Sequence, residues 1–446
     1  MKNKTWLVCI LFLSGINICL FWPGNLYFLN DDLLHIPLTD SGQLLQTNSV
    51  RPIHELLVRL DLFLWGKNAY GYHITALLLH FIVCGQLYDL SIKINTRWLK
   101  MPKRQALQTS LLTVVLFLAY PQSSESLGWI LGRAPVLSAI FLLLTIRLFF
   151  TDCYKWFIYP AGAFFFAASL FTYEQTLLVP LALLGIAFIQ KQNDNRRRTF
   201  TYACLLLMVD LGYIIVRKLV TSEVVGAYEG GNLLAMNVAN LTTNTFRIFF
   251  RLILNPAFKN VFLLHAFTLL LIVSLIIGYA RRTFVEKKPI VVFGAIIILL
   301  IAPVISLGVA VNSFESGRYL YLPSIFLIAG ISTISVEVFY KNSRSKNGVV
   351  IFSFLLIAYW LAGKLKASKQ YTDASSYSKS VEQKIQQHFI TSSDTLFIDT
   401  LHVTVHRLPV FRRGFKTGIN WFNDKIDTNK VVVRYLEDEV IKRSFK

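Results

Sequence analysis

Charge is scarce in this chain: only 16% of its 446 residues are Asp, Glu, Lys or Arg, where soluble globular domains average about 25%. With 54% hydrophobic residues and a mean hydropathy of +0.52, the composition excludes a soluble globular protein and sets the class as integral membrane. Acids are scarcest, 25 against 45 Lys and Arg. Five cysteines, Cys9, Cys19, Cys84, Cys153 and Cys204, all lie in or beside apolar stretches and none in the polar tail, which argues against a disulfide framework or a thiolate metal site. No period of the solenoid kind is present. The first apolar stretch follows Lys2 and Lys4 but has no Ala-x-Ala-like exit, so it reads as a retained anchor and not a cleaved signal.

Long hydrophobic runs are what the chain does have. Stretches able to cross a hydrocarbon core of about 30 Å run from Thr5 to Trp22, Tyr72 to Leu90, Leu107 to Tyr120, Leu131 to Phe150, Trp156 to Phe171, Gln175 to Ile189, Phe200 to Val216, Val261 to Tyr279, Ile290 to Val311, Tyr319 to Val338 and Val349 to Ala362. They predict an all-α multi-pass bundle of about eleven transmembrane helices. The net charge of +20 does not point to nucleic acid, because the cations fall in alternate loops: Lys93 to Arg104, Lys191 to Arg198, Arg281 to Lys288 and Lys341 to Lys346. The positive-inside rule puts these loops and the N-terminus in the cytoplasm, and an odd number of spans then puts the tail outside. By the same count Asp31, Asp32, Glu125, Arg133, Glu174, Glu315, Arg318 and the connection from Arg217 to Lys259 share the outer face.

Two segments read as helices lying in the membrane surface. In Ile53 to Trp65, apolar Ile53, Leu56, Leu57, Leu60 and Leu64 oppose His54, Glu55, Arg59 and Asp61; farther on, Phe246, Phe249, Phe250 and Ile253 share a face, with Arg247 and Arg251 one turn apart. Composition turns polar after Lys364, which divides the chain into a transmembrane domain over 1–364 and a small extracytoplasmic α/β appendage over 365–446. The appendage is expected to hold a helix from Ser375 to His388 and strands at Thr395 to Ile398, His402 to Val405 and Val431 to Tyr435. His402 and His406, about 13 Å apart if extended, read as an ordinary partly buried pair and not as metal ligands.

The adjacent carboxylates Asp31 and Asp32 stand directly after the first span. Burial in hydrocarbon would be costly for both, so they are expected to face water and to do chemistry or bind a charged group; the plain alternative is a solvated turn. Adjacent acids repel, so one can be raised in pKa while the other stays ionised.

Asn30-Asp31-Asp32-Leu33-Leu34-His35-Ile36-Pro37, Arg51-Pro52-Ile53, Leu64-Trp65-Gly66 and Gly71-Tyr72-His73-Ile74-Thr75-Ala76-Leu77-Leu78-Leu79-His80 resemble the N-terminal signature of the polytopic glycosyltransferases of the GT-C fold. The likeness is to the O-mannosyltransferases that carry tetratricopeptide repeats and to their bacterial relatives. It continues through Pro121 to Ala134, Tyr173-Glu174-Gln175 and Arg318 to Ser324. Tyr120, Pro135 and Tyr173 depart from that pattern, where it has His, Asp and Lys, and the repeats are absent.

This resemblance implies an inverting glycosyltransferase that takes a sugar from a polyprenyl-phosphate donor and passes it to a glycan, lipid or protein hydroxyl. It carries the role of general base to Asp31 or Asp32, with Asp31 favoured. Glu125 and Glu174, at outer helix ends, could bind the acceptor, hold a divalent cation or cap a helix; capping suits Glu174. Arg318 opens a helix, where its charge opposes the dipole, so it needs an anion such as the donor phosphate. Arg133 is a second candidate for the phosphate or a partner for Glu125. Arg247 and Arg251 could meet the lipid phosphate or snorkel to headgroups. His35 and His73 read as structural, and Trp65, Trp129 and Tyr321 as an interfacial belt.

The expected site is therefore on the periplasmic face of a bacterial inner membrane. The rival is a transporter or flippase of lipid-linked glycans, which would need acids and arginines at mid-bilayer depth and an inverted repeat. The sidedness is testable: reporter fusions at Arg198 and at Lys364 should report opposite faces, and two cytoplasmic reports would remove the one-faced site.

Overall fold

The computed structural model of the chain describes residues 3–42, 50–151, 156–189, 193–221, 237–256, 284–341, 346–391 and 394–436, with single positions at 266, 270 and 273. In chain order its helices are α1 (Asn3–Leu20), α2 (Asp32–Asp40), α3 (Pro52–Trp65), α4 (Ala69–Lys93), α5 (Lys103–Ala119), α6 (Ser124–Gly128), α7 (Ala134–Phe149), α8 (Ile158–Leu170), α9 (Val179–Ile189), α10 (Asn193–Thr221), α11 (Val238–Ile253), α12 (Phe284–Ile301), α13 (Arg318–Lys341), α14 (Lys346–Thr391) and α15 (Phe415–Phe422). Among the described residues, α1, α4, α7, α10, α13 and α14 lie in segments long and apolar enough to cross a membrane, and α8, α9 and α12 are shorter apolar helices. Of the eleven apolar stretches, Val261 to Tyr279 lies almost wholly outside the described residues.

The helix α5 sits at the centre of the bundle, packed by α1, α4, α13 and α14. It touches protein on nearly every side: Ala106 and the residues from Gln108 to Ala119 are buried. Its hydroxyls are satisfied within the helix, Thr109 donating to Gln105 O, Ser110 to Ala106 O and Thr113 to Thr109 O at 2.8–3.0 Å, as a water-free surrounding requires. At its C-terminal end the buried carbonyl of Leu118 accepts from Asn17 Nδ2 at 3.0 Å and Lys364 Nζ at 2.8 Å, which settles one of the four orphan acceptors of a helix end.

Lys364, where the composition turns polar, is buried and lies inside a helix that continues unbroken to Thr391. Forty-six residues at 1.5 Å each make α14 about 69 Å long, twice what a bilayer needs. Its far half packs against the first loop, Ser378 Oγ donating to Phe28 O at 2.8 Å, and carries the appendage; it includes the expected helix at 375–388.

The appendage pairs β1 (Leu396–His402) in parallel with β4 (Val431–Leu436), and β2 (Thr404–Val405) with β3 (Leu408–Pro409) in a hairpin. The hairpin turn puts His406 and Arg407 at positive φ, 50° and 67°. His402 and His406 thus do not share a strand face; His406 Nε2 instead meets Asp373 Oδ2 at 3.0 Å. Helix α15, unforeseen from sequence, packs on α2.

Helix α3 is amphipathic in an inverted sense. Leu56, Leu60, Phe63 and Leu64 are exposed, while His54, Val58 and Asp61 turn into the protein. Asp61 meets Arg133 there, both fully buried. Thr75 Oγ1 donates to Asp61 Oδ1 at 2.7 Å and Arg133 Nη1 donates to Tyr72 O at 3.1 Å, so one ion pair joins α3, α4 and the start of α7. The pairing of Arg133 with Glu125 weighed from sequence does not form.

A second departure is Asp210, buried in the middle of α10 with Oδ1 lacking a hydrogen-bond partner among the described residues. The acids are not all at segment ends.

Breaking a buried ion pair leaves a charge uncompensated. Arg133→Met or Asp61→Leu alone should therefore destabilise by about 3–5 kcal/mol, and the double substitution by much less. Thermal unfolding in detergent reads this, and equal losses in single and double variants would show that the pair does not act as a unit.

Candidate active site

The first loop begins with Phe21 and Phe28 sunk into the protein and turns at Asn30, whose φ of 45° is left-handed, a conformation that Asn tolerates better than most side chains. Asp31 then takes helical angles and Asp32 starts α2, so their side chains diverge by about 100°. Asp32 points inward: Oδ2 accepts from Leu29 N–H at 3.0 Å and Oδ1 from Leu131 N–H at 3.0 Å. It is fully buried, and burial pushes its carboxyl up to about 8 even though the two N–H bonds oppose the rise. Trp129 Nε1–H adds a bond to Leu29 O at 3.1 Å. The second carboxylate thus staples the first loop to the segment before α7.

Asp31 points elsewhere. It is half-buried, and its Oδ1 is buried without a hydrogen-bond partner among the described residues. One turn on, the His35 ring feels the charge of Asp31 and also those of Arg413 and Arg51. Burial lowers His35; Asp31 opposes this and the two arginines add to it. His54, from α3, is held neutral by burial and by Arg133, Arg51 and His35. His35 Nδ1 and His54 Nε2 are also buried without partners. The site is a carboxylate and two neutral imidazoles with bare polar atoms, set among arginines.

The remaining expected site residues fall into three groups. Arg51 grips Glu174 with two bonds of 2.9 Å, Nε to Oε2 and Nη2 to Oε1, with Arg217 4.0 Å from Oε1. Arg51 also lies 4.8 Å above the Tyr173 ring. Burial raises the Glu174 carboxyl but the Arg51 charge and hydrogen bonds outweigh it, and the net direction is down. Glu174 therefore answers an arginine 123 residues away.

Glu125, almost fully buried, accepts from Arg318 Nη1 at 3.1 Å and from Arg318 N–H at 2.8 Å. Burial raises its pKa while Arg318 opposes. The anion that Arg318 needs at the start of α13 is therefore this carboxylate. Its guanidinium also lies 4.6 Å over Trp129 and 5.0 Å over Tyr319, and 26% of its side chain stays exposed. Trp129 is an internal platform and no belt residue; Tyr321, fully buried and hydrogen-bonded to His80, is internal too.

Arg251 is buried, donating to Gln122 Oε1 at 2.7 Å and to the carbonyls of Ala310 and Ser313. Burial lowers its pKa to about 10. Neither Arg133 nor Arg251 is open to a donor phosphate in this arrangement. Arg247, one turn away on α11, is exposed beside exposed Phe246 and Phe250. The expected basic pair is thus split between the interior and the surface. As for a divalent cation, Glu125 and Glu174 are each engaged by an arginine, and the described residues hold no cluster of three His, Cys, Asp or Glu able to bind a metal.

Sequence reasoning did not single out Arg51, His54, Asp61 or Arg413. Arg51 stood within a quoted motif, and His54 and Asp61 stood on the polar face of α3; Arg413 carried no local signal.

The fold and site define a multi-pass membrane protein with a carboxylate–histidine–arginine centre at one end of its bundle. No family model matches the chain. It is 28% identical over 185 residues, 39% of its length, to protein O-mannosyl-transferase tmtc2 of Xenopus laevis, and the match spans 20% of that relative's length. Among solved structures, the crystal structure of ArnT from Cupriavidus metallidurans bound to undecaprenyl phosphate aligns with 97% of this chain and 90% of its own, at 11% identity and a TM-score of 0.49.

The raised Asp32 carboxyl has a definite sign. Its protonated form is favoured in the folded state, so its contribution to stability is fully present below the ordinary value of 3.8 and is lost as pH rises through about 8. Asp32→Asn does not titrate, and it leaves one N–H without an acceptor at a cost of about 1–3 kcal/mol. The stability gap between wild type and Asp32→Asn should therefore narrow from pH 5 to pH 9 in thermal unfolding. A gap that widens or stays flat would mean that Asp32 is ionised in the native protein.

Proposed function

We propose that this chain is an inverting glycosyltransferase of the GT-C kind, moving a sugar from a polyprenyl-phosphate carrier to a hydroxyl of a glycan, lipid or protein. The observation that carries the reading is the contrast between the two acids: Asp32 is locked by two backbone N–H groups, while Asp31 keeps a bare oxygen among neutral histidines and arginines. A base needs an oxygen not already committed. In the proposed step the acceptor O–H gives its proton to Asp31 Oδ1 and its oxygen attacks C1 of the sugar. The bond from C1 to the phosphate oxygen breaks, and its electron pair leaves with the polyprenyl phosphate. A single displacement inverts C1. Cations near the site offset the charge that develops on the leaving phosphate.

The likeness to an O-mannosyl-transferase supports the class of reaction. Exposed apolar faces on α3 and α11 suit a site served from the membrane surface. We place the protein in a bacterial inner membrane, N-terminus inside and site outside, from the alternation of basic loops.

Asp210 is the observation that favours the transporter reading, since an acid at mid-span is a functional marker. It has no basic partner among the described residues, and the larger polar cluster lies at the end of the bundle. Transferase activity is therefore the better account.

Asp31→Asn keeps the side chain's size and removes the proton acceptor. Sugar transfer in vitro from a panel of polyprenyl-phosphate sugars should fall by about 10²- to 10⁴-fold while donor binding persists, and Asp32→Asn should act mainly through stability. Were neither amide to lower transfer more than about tenfold in folded protein, the acidic loop would not be catalytic, and transport would be the reading to pursue.

A further inference from the structure

The C-terminal appendage does more than follow the bundle; it closes over the first loop. Asn30 N–H donates to Val410 O at 2.6 Å and Arg413 N–H donates to Asn30 Oδ1 at 3.2 Å. Gly414 takes a φ of 74°, and a Cβ there would lie 2.5 Å from Leu34 N, so only glycine allows the two backbones to meet. Trp421 Nε1–H donates to Asp40 Oδ2 at 2.7 Å at the other end of α2.

This docking sets Arg412 and Arg413 just before the N-cap Gly414 of α15, where a cation opposes the helix dipole. Arg412 has its anion, Glu315 Oε1 at 2.8 Å. Arg413 is exposed, and its guanidinium makes no ion pair or hydrogen bond among the described residues. Its backbone is pinned to Asn30, next to Asp31, and its charge acts on the His35 ring. Of the other candidate guanidinia, Arg133 is committed to Asp61, Arg318 to Glu125, Arg51 to Glu174 and Arg251 to Gln122, while Arg247 stands exposed on α11.

We infer that Arg413, set over the Asp31 loop by the Gly414 turn, binds the phosphate of the polyprenyl-phosphate substrate, so that the appendage supplies one wall of the site. The inference rests on the glycosyltransferase reading above and adds to it the residue that holds the anionic head.

The test is binding of undecaprenyl phosphate to the full-length protein in nanodiscs, with undecaprenol, which lacks the phosphate, as a second ligand. Arg413→Ala should weaken the phosphate lipid by about ten- to a hundredfold, the loss of a charge-assisted contact, and leave undecaprenol binding unchanged. Arg413→Lys, which keeps charge but loses the planar fork, should fall between. Lys416→Ala removes one exposed charge from the same helix and should have no effect. Because the docking uses the Arg413 backbone, melting temperatures should not move. Equal phosphate-lipid affinity in wild type and Arg413→Ala would overturn this inference and leave the transferase reading standing. An equal loss in Lys416→Ala would reduce it to general surface charge and overturn it as well. Failure of the wild type to bind the phosphate lipid would instead sink the transferase reading, and this inference with it.

Discussion

One carboxylate sets the geometry of the site. Asp32 accepts from Leu29 N–H and Leu131 N–H and so fixes the rotation of α2 about its own axis. Because neighbouring positions on a helix diverge by about 100°, turning Asp32 inward turns Asp31 toward His35 and away from the backbone donors. The pair thus becomes unequal without any difference in residue type: one acid is structural, its carboxyl raised by burial, and the other is left with an oxygen unsatisfied among the described residues. A shift of register by one residue would exchange the two roles, which is why the left-handed turn at Asn30 and the bonds that hold it matter to the chemistry.

A second constraint comes from the low dielectric around the site. A buried charge without a partner is costly, and Arg51, Arg133, Arg251 and Arg318 are each answered by a carboxylate or by carbonyls. The answers come from far along the chain. Arg51 and Glu174 are 123 residues apart, Glu125 and Arg318 are 193 apart, and Arg413 and Asn30 are 383 apart. Hydropathy and helical period are local signals, and they made the helices, the acidic loop, the amphipathic character of α3 and most of the appendage strands legible. Pairing is not local. Arg133 and Arg251 were reasonable phosphate ligands for a reader who knew their residue type and side of the membrane, and their commitments to Asp61 and Gln122 could not be read from the sequence around them. Glu174 was legible as an acid at a helix end, yet its partner is Arg51 and not the dipole.

The same limit explains the boundary drawn at Lys364. Hydropathy falls there because the residues that follow are polar, and a polar residue is ordinarily a sign of water. In the fold, Leu118 O and Ser123 Oγ take the ammonium at 2.8 and 2.9 Å, so the helix passes through without a break. Asp210 escaped notice for the opposite reason: one acid in a long apolar stretch barely changes its average.

The docked appendage bears on topology. Helix α1 carries the chain from the N-terminus to the first loop, and the appendage touches that loop through Val410, Arg413 and Gly414. A crossing by α1 and this contact together support the proposal that the N-terminus and the appendage lie on opposite faces of the membrane, with an odd number of crossings between them. The alternation of basic loops leads to the same parity by an independent route, through charge and not contact. Loop charge alone cannot say that the two distant parts of the chain meet; the contacts at Asn30 show it, and they bring the acidic loop and the tail together.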